Sequence, residues 1–193
     1  MADPAYIVNG VLTDGEAWVG IGTTTLGSDT ATITFTSTDD GQVGDWSQYM
    51  DLVLVCYVRA AYAAASGDMY LQFNNDTGAN YEAQLFYGNG SAASASAQTG
   101  QVKLDVGEVP YDTATSNVFG GVLVHLFDVN SGKYKSVLSQ SAADRDGAGT
   151  VRVSGGTWQS QAAITEIDII QVAGDHLAAS SFSLFGILPR MVA

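Results

Sequence analysis

Cysteine is nearly absent from this chain, and Cys56 is its single thiol. No internal disulfide can form, so a disulfide-stapled scaffold is excluded. Cys56 lies in the apolar run 52–58, with no Lys, Arg or His just before it to lower its pKa, and reads as a small buried hydrophobe. Cations are scarce too: 7 Lys and Arg face 20 Asp and Glu, a net charge of −13. Phosphate recognition needs clustered Lys and Arg, so neither nucleic acid nor an anionic membrane surface is an expected direct partner. The acid excess reads as a solubility device. Long apolar runs are missing, and no stretch approaches the ~20 residues of a membrane span. Residues 1–6 lack the basic and apolar regions of a signal peptide, so the chain is expected to be made and folded in a cytoplasm. Helical periodicity is missing as well: residues 60–65, rich in Ala, are too short for an isolated helix.

What is present is strand. Residues 30–36 alternate strictly, with Ala31, Ile33 and Phe35 on one face and threonines on the other. Met69, Leu71 and Phe73 repeat the pattern. Three segments are apolar on both faces: 50–58, 118–129 and 182–188. Such a strand is either central and covered on both sides, or covered on its second side by another subunit. Further strands are expected at 16–21, 82–87, 101–106, 134–140, 150–153 and 164–173, with Gly, Asn, Asp and Ser between them. Asn130-Ser131-Gly132 marks a hairpin, and the Ser/Ala-rich stretch 90–100 reads as a surface loop. The pattern predicts an all-β fold, an antiparallel β-sandwich of jelly-roll type with about ten strands. Residues 15–193 form one expected domain, and residues 1–14 an expected N-terminal arm.

Catalytic machinery is hard to find. His125 and His176 lack spaced zinc-ligand partners and read as a strand histidine and a loop residue. Glu166 and Asp168 share one strand face, as a glycosidase pair would, but Ile167 and Ile169 facing inward leave both carboxylates in water. Asp76 and its Asn neighbours in 73–81 offer oxygens of the kind calcium takes. The same residues suit a turn, which is their expected role, with Gly78 supplying a positive φ. No metal, cofactor or enzymatic activity is expected. Four aromatic residues are the candidates for contact with a glycan or a partner: Trp46, Tyr49, Tyr62 and Trp158, with Tyr111 near them in type. The competing and more ordinary role for such rings is to cap the sandwich core.

The nonapeptide Phe73-Asn74-Asn75-Asp76-Thr77-Gly78-Ala79-Asn80-Tyr81 resembles a segment of a group of tailed-bacteriophage virion proteins. Phe86-Tyr87-Gly88, the Ser/Ala-rich stretch after it, residues 49–54 with Arg59 following, residues 162–167 and residues 182–187 are similar to that group and come in the same order. The resemblance spans about residues 30–188. It implies a jelly-roll-like sandwich that serves as a capsid decoration (cement) protein, a head fibre or a tail fibre, with no catalytic residues. The partners it implies are further copies of the chain, as a homotrimer, and the major capsid protein or other virion proteins. The implied location is the virion, assembled in the host cytoplasm. The alternative it leaves is a fibre adhesin that binds host surface glycan. The chain departs from the group in its acidity and in residues 105–116.

Overall fold

The computed structural model describes residues 18–188, together with the backbone of two short strands nearer the N-terminus. Sixteen strands lie among the described residues. In chain order they are β1 (Ile7–Val8), β2 (Val11–Leu12), β3 (Trp18–Thr25), β4 (Thr32–Thr36), β5 (Asp51–Val58), β6 (Ala60–Ala61), β7 (Ser66–Phe73) and β8 (Tyr81–Gly88). There follow β9 (Ala93–Gln101), β10 (Leu104–Pro110), β11 (Gly120–Phe127), β12 (Lys135–Asp144), β13 (Gly149–Trp158), β14 (Glu166–Gln171), β15 (Asp175–His176) and β16 (Ser181–Ile187). A 3-10 turn, Trp46–Gln48, is capped by the Asp45 carboxylate.

Two antiparallel sheets make the sandwich. The large one has eight strands in the order β3-β16-β5-β11-β12-β13-β8-β9, and the small one four in the order β10-β7-β14-β4. The three segments that are apolar on both faces become β16, β5 and β11, side by side in the large sheet. Their inward residues, among them Leu52, Leu54, Val124, Leu126, Phe182 and Leu184, are fully or almost fully buried. Met69, Leu71, Phe73, Ile167 and Ile169 meet them from the small sheet. Alternation therefore places the core between the sheets, as period-two patterning requires.

Some expectations shift. The stretch 90–100 is not a loop: residues 93–101 form β9, the edge strand beside β8. Its alternation of Ala and Ser has period two, but two small residue types give no hydrophobic contrast to read. The strand expected at 101–106 lies at Leu104–Pro110 instead. Residues 105–116 gain a place: β10 takes their first half, and a loop held by Arg59 takes the rest. The buried guanidinium of Arg59 donates to four carbonyls, those of Asp112, Ala114, Thr115 and Val118, at 2.7–3.1 Å. Of the expected arm, β1 and β2 pair with each other, and the remainder lies outside the described residues.

Candidate interaction surface

The four aromatic candidates do not come together. Trp46, Tyr49 and Trp158 are buried, at 1%, 4% and 2% exposure, and only Tyr62, at 48%, meets solvent. A glycine explains why Tyr49 sinks: its ring lies on Gly186, where a Cβ would stand 2.4 Å from the ring. Tyr111 lies on Gly67 in the same way, and Tyr62 meets the Tyr111 ring edge-on. Trp158 is drawn in by the nonapeptide. Its Nε1 donates to the Asp76 carboxylate at 2.8 Å, a bond that more than any other contact holds that carboxyl below the usual range. Asp76 also accepts from the Gly78 backbone and from Asn80 Nδ2. Its oxygens are thus spent on a clasp between β7, β8 and β13. The left-handed positions of this turn are Asn74 (φ 52°) and Asn75 (φ 55°), not Gly78. Gly78 is needed for space, because a Cβ there would stand 2.6 Å from Asn80 Nδ2.

Several other titratable groups are also occupied. Glu166 accepts from Asn75 and Asp168 from Thr34 Oγ1; Asp168, at 7% exposure, is buried rather than left in water as its place on the strand predicts. Arg152, almost fully buried, binds both Asp68 and Asp105 at a cleft of about 300 Å³ that Tyr87 and Gln98 also line. Burial raises the Asp105 carboxyl while Arg152 pulls it back, and the pair ties β10 to β13. His125 Nε2 lies 2.9 Å from Asp51, and its ring stacks on Phe127 at 4.0 Å. Among the described residues no hydroxyl or thiol is hydrogen-bonded to that imidazole. His176 is not a loop residue; it lies buried in β15. The Cys56 thiol is buried, and desolvation drives its pKa upward. No group of three or more His, Cys, Asp or Glu side chains poised to hold a metal lies among the described residues. No helix among them is long and apolar enough to cross a membrane.

What stands out is a face rather than a pocket. The outer face of the large sheet can be read off its register as rows running across the strands. One row passes through Ser181, Tyr57, Gly121, Ala142, Val151 and Gly88. The next passes through Ser183, Val55, Leu123, Gln140, Val153 and Phe86, and a third through Phe185, Val53, His125, Leu138, Gly155 and Gln84. Thr25, Thr23 and Gly20 of β3 extend the rows at one end, and Ala93, Ala95 and Ala97 of β9 at the other. These three rows contain no Asp, Glu, Lys or Arg. They leave Val55, Tyr57, Phe86, Leu123, Leu138 and Val151 between 39% and 63% exposed. The outer side of the small sheet is dressed for water instead, with Thr32, Thr34, Thr36 and Glu166, while Asp168 there is covered and bonded to Thr34. Sequence reasoning flagged the three two-faced strands but not their adjacency, which long-range pairing alone creates.

No protein-family model and no curated protein matches the chain. Among solved structures it is similar to scytalido-glutamic peptidase with a transition state analog inhibitor, at 10% identity and a TM-score of 0.29. The likeness covers 84% of this chain and 66% of that one, so the chain spans just under two thirds of that neighbour's length. A likeness of this size carries no statement about activity.

Proposed function

We propose that this chain is a structural component of a virus particle, a capsid decoration (cement) protein that acts through contact area rather than chemistry. One observation carries the reading: the charge-free apolar outer face of the eight-stranded sheet, on a molecule of net charge −13. A monomer working alone in water has no use for such a face, whereas a protein that works in an assembly does. The resemblance of residues 73–81 to tailed-bacteriophage virion proteins supplies the setting. In that setting each copy bridges neighbouring capsid subunits, and many weak contacts add through multivalency. The fibre-adhesin alternative draws on exposed aromatics, and of its four candidates Tyr62 alone is open. Cryo-EM of intact particles, with protein stoichiometry by quantitative mass spectrometry, tests the reading. Many copies on the head are expected. A few copies at the tail would replace it with the fibre reading, and absence from the particle would end it.

A further inference from the structure

The geometry points to a second copy of this chain as the occupant of the outer face of the large sheet, in a two-fold, face-to-face pair. This goes beyond the particle role and holds whether or not the chain belongs to a particle.

The first argument is electrostatic. Two molecules of net charge −13 repel, and they can approach closely only where neither carries charge. The three central rows are that place. Their nearest acidic neighbours lie in the flanking rows, Asp51 and Glu82 beyond one edge and Asp144 beyond the other, and Asp51 is covered by His125. A partner of the opposite charge would be met better by the small sheet, where Glu166 lies on the outer side.

The second argument is area. With strands ~4.8 Å apart and alternate residues ~6.8 Å apart, eight strands by three rows cover roughly 38 Å by 20 Å, or ~770 Å². A stable specific interface buries about 800 Å² per partner. A pair centred on the β12–β13 boundary overlaps six of these strands, from β5 to β9 in sheet order, roughly 29 Å by 20 Å or ~590 Å², near the lower limit of specific interfaces.

The third argument is shape. Gly121 and Ala142 add almost no bulk to β11 and β12, leaving an open hollow of about 340 Å³ walled by Val55, Leu123 and Val151. Beside it, on β13 and β8, Val153 and Phe86 stand proud, Phe86 at 58% exposure. The order β11-β12-β13-β8 puts hollow and ridge on opposite sides of the β12–β13 boundary. A two-fold axis along that boundary keeps the rows in register: it lays Val151, 63% exposed, over the other copy's Ala142 in the hollow and sets Phe86 against its Leu123, an isologous contact. Sheet twist sets the strands of the two copies about 30° apart.

Sedimentation velocity of the purified full chain tests the pair. A dimer is expected, and it should tighten as salt rises from about 0.01 M to about 1 M, because screening removes the repulsion and leaves the apolar contact. Leu123→Lys and Phe86→Lys should each weaken the dimer by about tenfold or more. Thr36→Lys, on the small sheet, should leave it unchanged. Circular dichroism and thermal melting confirm that each variant is folded. A wild-type monomer at about 100 µM, an order of magnitude above the affinities of most specific pairs, would overturn the inference. So would an oligomer that both outer-face lysine variants leave intact. Pairing by a chain that is missing from virus particles would remove the particle role and keep the pair. A chain abundant on particles yet monomeric in solution would do the reverse.

Discussion

Arg59 shows how a single cation is used where cations are few. Among the described residues its guanidinium meets no carboxylate; it gathers four backbone carbonyls of the 112–118 loop, which has little apolar anchorage of its own. Arg59→Met should therefore cost about 3 kcal/mol, because the carbonyls lose a charged donor at a buried site. Denaturant unfolding measures the loss, and hydrogen exchange should show it first in that loop. His176 is the titrating counterpart. It is fully buried, with Nε2 donating to the Ile169 carbonyl at 3.0 Å and Nδ1 accepting from the Gln171 amide at 2.9 Å. That arrangement suits the neutral ring, and burial holds its pKa below the ordinary 6.5. The unfolded chain takes up the proton first, so the stability tied to His176 is complete above pH 6.5. It drains away as pH falls from there to the depressed folded value. Melts across that range should show wild type losing stability faster than His176→Gln.

Along a strand, neighbouring residues live in different worlds. On β5, Leu54 is sealed in the core while Val55 looks outward. Leu54→Ala should cost about 2–5 kcal/mol in unfolding free energy, and Val55→Thr should stay within about 0.5 kcal/mol for the isolated molecule. Alternation of this kind is why β4 and β7 were legible in the sequence, whereas β5 was legible as a run apolar on both faces. β9 was not, because Ala and Ser differ too little in hydrophobicity to mark a face. The burial of Tyr49 was illegible for another reason. The glycine it rests on, Gly186, lies on β16, far along the chain, and nothing local in residues 46–50 announces it. Gly186→Ala should be destabilising by about 1–3 kcal/mol through overpacking against that ring. The nonapeptide was conspicuous as a motif, yet its work is architectural: Asp76 joins a turn to a tryptophan that lies 82 residues onward. The two-faced strands were visible one by one, and only the register shows that they add up to a single continuous face.

At the scale of the molecule, the two sheets divide the labour, one presenting hydroxyls and carboxylates and the other a neutral apolar plain. The excess of negative charge still acts on the fold as a whole. Raising the salt from about 0.01 M to about 1 M should lift the melting temperature of even the Leu123→Lys variant by relieving self-repulsion. The lone thiol lends itself to a different use. Cys56 points inward from β5 and is shut away from reagents. A cysteine engineered at position 123 or 153 would therefore be the only group open to a maleimide dye or to air oxidation. Fluorescence transfer or a covalent cross-link from that one handle would chart the distances between copies without first stripping the native sulfur from the chain.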